Sequence, residues 1–324
     1  MADPDVFFHL TADSDSASAR TIIKLRHNQP WFHAGTDEIA AQPLITSRES
    51  TPGVPEPVQA VPPVPERLVL TFSRLFSLLN AKEIPDLRRG ISFGTDPRRC
   101  HILLGHRGTL AVSGTHYTVA IDDTLRVRLR DGSKHGTAVE CNRQNREEKR
   151  KNDYWTLTMV PGLGRLFDTT TIHTSSIALT VEFPNHANPS SEYLQNLKKF
   201  DQLCKEAAER EVNAAPAVDG LTLTSGPSTA APSGAVTPGT LPIYYKTGKL
   251  GKGQFGTVYH VIRARDARYF AAKIFDDITK KRSRGESVSA KEACIQREFK
   301  FSSDFPHVST PAHEFPPAPN ADHV

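Results

Sequence analysis

Between residues 67 and 183 the apolar positions recur at every second residue, in short runs. Tyr117, Val119 and Ile121 alternate with Thr118 and Ala120. In Arg126-Val127-Arg128-Leu129-Arg130 the apolar pair points inward and the arginines outward, the period of a half-buried strand. Turn residues separate the runs: Asp96-Pro97, Gly105 to Gly108, Asp122-Asp123 and Asp131-Gly132. Many short strands at this spacing predict an all-β sandwich over 66–184. The basic stretch Arg143 to Lys151 interrupts the alternation and reads as a solvated loop.

From Pro189 to Arg210 the period becomes helical. Tyr193, Leu197, Phe200, Cys204 and Ala207 fall on one face, with Lys198, Lys199, Lys205 and Glu206 off it. Asn188 suits the N-cap of this helix and Pro189 its first position. Residues 213–242 are rich in Ala, Pro, Gly, Ser and Thr and read as a flexible linker, so 185–242 is a helix plus linker. Residues 1–65 read as a disordered, Pro-rich segment, punctuated by Pro52, Pro55, Pro57, Pro62, Pro63 and Pro65. Residues 243–305 predict a second folded segment of three strands and a helix. Residues 306–324, with Pro311, Pro316, Pro317 and Pro319, read as an unpacked tail.

Composition agrees with a chain that is folded only in part. Hydrophobic residues make up 38% of the 324, below the globular average. A net charge of +4 points neither to nucleic acid nor to a membrane surface. Cys100, Cys141, Cys204 and Cys294 lie far apart, with no C-x-x-C pair and no histidines at ligand spacing, so no metal site is expected. The acidic N-terminus lacks a signal segment and no apolar run has the length of a membrane span, so an intracellular place, nuclear or cytoplasmic, is expected.

The strongest chemical signal is Leu250-Gly251-Lys252-Gly253-Gln254-Phe255-Gly256-Thr257-Val258. Two nucleotide-binding folds share G-x-G-x-x-G. In a dinucleotide fold the glycines open a helix. Here Thr257-Val258-Tyr259-His260-Val261-Ile262 follows, and β-branched and aromatic residues favour a strand, so the glycines lie at a hairpin. That is the arrangement of the phosphate-covering loop of protein kinases. Glycines let backbone N–H groups approach phosphate oxygens. Val258 would touch a purine ring and Phe255 would shield the phosphates. Ala271-Ala272-Lys273 supplies the next part, with Lys273 twenty-two residues after Gly251. Ala271 is small enough to wall an adenine pocket, and Lys273 would pair the α and β phosphates of ATP. Glu298, with Glu292 as the competing choice, would hold that lysine.

Phosphoryl transfer also needs H-R-D-x-x-x-x-N and D-F-G, and neither occurs. His106-Arg107-Gly108 and Asp304-Phe305-Pro306 are decoys. The expectation is an ATP-binding kinase small lobe cut short, with magnesium expected only in a full-length kinase.

The middle of the β region resembles a forkhead-associated (FHA) domain. The resemblance rests on Phe93-Gly94-Thr95-Asp96-Pro97, Cys100, Ser113-x-x-His116 and Asp131-Gly132-Ser133-Lys134-His135-Gly136-Thr137. It implies an eleven-stranded sandwich that binds phosphothreonine peptides with loops at one end. It also implies that Ser113 binds phosphate and that His116 ties the loops together. Three positions depart from the family pattern. Thr95 stands where the family has arginine, with Arg98 or Arg99 as the nearest replacements. Gly114 follows the serine, and His135 replaces the peptide-gripping asparagine, beside Lys134. Taken together, the chain is similar to fungal serine/threonine kinases of the checkpoint type that carry an FHA module. The contrasting expectation is a non-catalytic interaction protein with a vestigial lobe. A dinucleotide-dependent oxidoreductase is a distant third, since no acidic ribose partner follows the glycines.

Overall fold

Val-Phe-Phe-His-Leu-Thr-Ala, residues 6–12, is β-branched and aromatic on both of its faces, a composition that suits a strand covered from two sides. In the computed structural model it forms strand β1 (Val6–Ala12), with Phe7, Phe8 and Leu10 fully buried. The structure describes residues 3–35, 65–81, 87–158, 166–184, 191–214, 241–253 and 256–275. They fall into two compact units, 1–241 and 242–324.

The first unit holds eleven strands in two sheets. The six-stranded sheet runs β2 (Phe32–His33), β3 (Arg67–Thr71), β1, β11 (Ile177–Glu182), β10 (Thr170–Thr174), β8 (Ala138–Cys141). The five-stranded sheet runs β5 (Ile102–Leu103), β4 (Ile91–Gly94), β6 (Tyr117–Ile121), β7 (Val127–Asp131), β9 (Tyr154–Thr156). The arrangement is of the β-sandwich type expected from the alternation. Tyr117, Val119, Val127 and Leu129 are buried, while Arg128 and Arg130 lie over the Tyr154 ring at 5.0 and 5.5 Å.

Two sequence expectations need correction. The first concerns 1–65, read as disordered. β1 sits between β3 and β11 in antiparallel register, His9 opposite Val69 and Glu182. Helix α1 (Ala17–Ile23) starts at Ser16, whose Oγ accepts from Ala19 N–H at 3.2 Å. The same hydroxyl donates to the Ser176 carbonyl at 3.1 Å, tying α1 to the β10–β11 hairpin. Asn28 is fully buried; its Nδ2 donates to the carbonyls of Ile22 and Leu103, and its Oδ1 accepts from Leu103 N–H at 2.8 Å. A buried amide with those partners acts as a strut between the N-terminal segment and β5. The prolines from Pro52 to Pro63 lie outside the described residues.

The second correction is that 67–183 is not purely strand. Helix α2 covers Phe72–Ala81, because Phe72, Leu75 and Phe76 repeat at helical spacing. The helix after the sandwich packs against it. Helix α3 (Ser191–Ala214) buries Tyr193, Leu197 and Phe200 as its periodicity predicted. Phe200 stands 5.9 Å from Phe7, and Tyr193 lies 5.6 Å edge-on to Phe72. Asn188 and Pro189 lie outside the described residues. No described helix is long and apolar enough to cross a membrane. Among the described residues no group of three or more His, Cys, Asp or Glu could hold a metal ion.

The second unit is an antiparallel meander: β12 (Tyr244–Gly253), β13 (Gly256–Arg263) and β14 (Tyr269–Phe275). Tyr245, Val261 and Ile262 are its buried residues on the strands, with Ala264 and Ala267 at the β13–β14 turn. The helix expected after it lies outside the described residues.

Burial pushes His9 down to about 4, helped by the positive charge of Arg67 and by His33, and its Nδ1 makes no hydrogen bond. Burial also lowers His116, against an opposing pull from Asp131. Both are neutral when folded, whereas the unfolded histidine takes its proton near pH 6.5. The unfolded chain therefore binds more protons below that pH, and stability present above pH 6.5 is lost as pH falls toward 4. Thermal melts at pH 7 and pH 5.5 should show a lower Tm in acid, with a smaller drop in His9→Gln. Identical melts for wild type at the two values would refute a buried neutral His9.

Candidate functional site

At one end of the sandwich the β4–β5 and β5–β6 loops meet at the Gly114 carbonyl. Thr95 N–H and Asp96 N–H donate to it, each at 3.0 Å, and the Cys100 thiol reaches it at 3.0 Å. Gly94 must be glycine for this meeting. A Cβ there would overlap the Gly114 carbonyl oxygen and stand 2.9 Å from Cys100 Sγ. Burial raises the Cys100 thiol to about 11, so it remains a protonated donor at neutral pH. Gly94 and Cys100, singled out by spacing in the sequence, thus meet at one contact, against the residue that follows Ser113.

His116 is fully buried and bridges two loops. Its Nδ1 accepts from Ser113 N–H at 3.0 Å, so the ring proton sits on Nε2, aimed at the Gly136 carbonyl 3.4 Å away. Ser113 is half-buried and its Oγ accepts from Lys134 N–H at 3.1 Å. That bond uses a lone pair, so the Ser113 O–H is left to donate outward. Lys134 and His135 are exposed beside it.

The loop from Asp131 to Thr137 is built on one carboxylate. Asp131 is fully buried. It accepts from Ser133 N–H (3.1 Å), Ser133 Oγ (2.8 Å), Thr137 Oγ1 (2.7 Å) and Asn152 N–H (3.0 Å). Gly136 takes φ +85° there, and a Cβ would press on the Arg150 carbonyl at 3.1 Å. The basic stretch 143–151 is exposed at most positions, as expected of a solvated loop. It is also pinned at its end, since Thr137 and Arg150 exchange backbone hydrogen bonds at 3.0 and 2.9 Å.

Arg98 is exposed; its backbone N–H donates to Asp96 Oδ1 at 3.1 Å. Sequence reasoning missed Arg107. Set aside as part of a decoy motif, it donates Nη2 to Asp96 Oδ1 at 2.9 Å. The Arg107 bond, then the Arg98 N–H, hold the Asp96 carboxyl below its usual range. Nothing local in the sequence signals a pair that closes across a loop. Asp131 was more accessible, because Asp-Gly-Ser is the pattern of an Asx turn.

The second unit carries the other predicted residues. Gly253 and Gly256 are directly opposed and close the β12–β13 hairpin; Gln254 and Phe255 between them lie outside the described residues, as does Glu298. Gly251 pairs with Val258, and Val258 with Lys273, so the three share one face. Ala271, two residues from Lys273, is on that face too and exposed. The half-buried Lys273 places Nζ 5.2 Å over the Phe275 ring. Leu250 lies at a register shift of β12 and is 60% exposed, and Lys252 is exposed. The glycines differ. A Cβ on Gly256 would overlap the Ile274 carbonyl and stand 2.8 Å from Phe275 Cα. On Gly251 it would meet nothing within 4 Å, and on Gly253 only the Gly256 oxygen at 3.9 Å. Neither has a positive φ.

No family model matches the chain, and no curated protein matches it. Among solved structures, that of Rad53 1-466 in complex with AMP-PNP is similar over 75% of this chain, at 19% identity and a TM-score of 0.30. This chain covers 46% of that one, so it spans less than half of its length. At that score the likeness decides nothing about either unit.

Asp131→Asn keeps the side-chain shape but turns one acceptor into a donor that faces donors. Urea unfolding of the variant should show a loss of about 2 kcal/mol. An unchanged midpoint would mean that the carboxylate does not organise the loop.

Proposed function

We propose that the chain is part of a serine/threonine protein kinase in which the second unit holds ATP and the first is an FHA-type reader of phosphothreonine peptides. The observation that carries the reading is the pair Gly251 and Gly253. Neither steric room nor backbone angle asks for glycine at either position. A ligand that comes close to the backbone does ask for it, and phosphate oxygens on N–H groups are such a ligand. Lys273 on the same face supplies the cation for the phosphates, Val258 and Ala271 the apolar wall for adenine, and Leu250 and Lys252 flank the glycines. Gln254 and Phe255 complete the loop and Glu298 is assigned to Lys273, all by the sequence pattern. Magnesium belongs to the full-length kinase.

The reader half is supported by the outward Ser113 O–H, beside Lys134 and His135, and by eleven strands in the first unit. A phosphate accepting from Ser113 would gain a charge-assisted hydrogen bond. The phosphoryl-transfer motifs do not occur in these 324 residues, so binding, not turnover, is the property to measure.

Titration of the purified chain with ATP should show saturable binding, weakened about tenfold in Lys273→Ala. Gly251→Val should weaken it too while leaving the melt unchanged; Gly256→Val should unfold the second unit. Absence of ATP binding, with phosphopeptide binding intact, would leave the interaction-protein reading. On the reader, Ser113→Ala should reduce preference for a phosphothreonine peptide over its unphosphorylated form by about tenfold. Equal affinity of wild type for both forms would end the phosphate claim.

A further inference from the structure

The position after Gly94, which the FHA pattern fills with arginine, is Thr95, a buried residue whose Oγ1 donates to the Ser113 carbonyl at 3.4 Å. It offers no positive charge. The loops on either side of β5 carry three arginines, Arg98, Arg99 and Arg107. Arg98 reaches Asp96 only through its backbone N–H. Arg99 stands 4.0 Å from Asp96 Oδ2 with its side chain 76% exposed, a distance and exposure that hold it loosely. Arg107 alone of the three makes a direct side-chain bond, Nη2 to Asp96 Oδ1 at 2.9 Å. Asp96 in turn donates its N–H to the Gly114 carbonyl at 3.0 Å, one residue from Ser113.

We propose that Arg107 supplies the charge-assisted contact to the peptide phosphate, delivered by the loop between β5 and β6 and held in place by Asp96. This rests on the reading of this end as a phosphopeptide site. Two points of chemistry carry it. A guanidinium has five N–H donors in a rigid fork, and the bond to Asp96 engages Nη2, leaving the rest of the fork for a second anion. An exposed ion pair contributes little to stability, so what the Asp96 carboxylate supplies is orientation of a long side chain that would otherwise swing freely. Arg107 is a binding residue in this scheme and Asp96 a positioning residue.

The test uses the whole chain and an immobilised phosphothreonine-centred degenerate peptide library, with the same library unphosphorylated as reference. Arg107→Ala should lower retention on the phosphorylated library about tenfold, to near the reference level, with no change in melting. Arg98→Ala should lower it less than twofold. Arg107→Lys should retain part of it, because an ammonium keeps the charge and loses the fork. Asp96→Asn should weaken retention severalfold at low salt, and Asp96→Glu should restore it; a merely structural Asp96 would move the melt instead. If Arg107→Ala binds like wild type while Ser113→Ala does not, the role of Arg107 is refuted and the reader stands. If wild type retains both libraries equally, the reader itself is refuted and Arg107 with it.

Discussion

The loop end of the sandwich depends on one buried charge. A carboxylate removed from water costs several kcal/mol unless donors replace the water it gives up. Asp131 is fully buried and collects four donors, two backbone N–H groups and two hydroxyls. Two of its partners, Ser133 and Thr137, lie in its own loop, and the third, Asn152, in the segment before β9. Satisfying the carboxylate therefore curls 131–137 and brings 150–152 against it. Ser133 Oγ, already bonded to Asp131, accepts in turn from Gly136 N–H at 2.7 Å, which sets the turn carrying Lys134 and His135. The Lys134 N–H then reaches Ser113, and the Gly132 N–H reaches the His116 carbonyl at 2.9 Å. The position of the Ser113 hydroxyl is thus a consequence, two bonds removed, of where a negative charge was buried.

The opposite side of the same loop end is governed by close approach, not charge. Gly94 ends β4 against the Gly114 carbonyl, and the Cys100 thiol fills the remaining space with a weak donor. The two devices act on adjacent residues, the first on the Ser113 hydroxyl and the second on the Gly114 carbonyl. Both sit at the ends of paired strands, and His116 joins them through Ser113 N–H and the Gly136 carbonyl. Loops held this way are fixed by bonds within the chain, which on the proposed reading lowers the ordering cost of binding a peptide.

Legibility in the sequence followed burial geometry. β6 and β7 are covered on one face, so Tyr117, Val119, Val127 and Leu129 alternate visibly with polar residues. β1 is covered on both, with Phe7 against Phe72 and Phe200 and Phe8 against Phe183, so the alternation that signals a strand is erased. It was also read together with a Pro-rich neighbour whose composition outweighed seven apolar-rich residues. The loop-tying place of His116 was legible because it is fixed at short spacing from Ser113. The Arg107–Asp96 pair was not, because what joins them is the path of a loop through space, and the intervening residues carry no period that would reveal it.

The glycine-rich hairpin separates two reasons for one residue type, and only coordinates separate them. Gly256 is glycine because the β14 backbone at Ile274 and Phe275 occupies the space of a side chain; that is packing, and any hairpin so crossed would require it. Gly251 and Gly253 face open space without a positive φ, Gly251 just after the register shift of β12, and glycine there weakens the strand by its entropy and packs nothing. The strand carries this cost at two positions; Val258 is opposed to Gly251, and Lys273 is opposed to Val258 on the next strand. On the proposed reading, what approaches the face they share is a phosphate chain, which needs N–H groups at short range and a lysine beyond them.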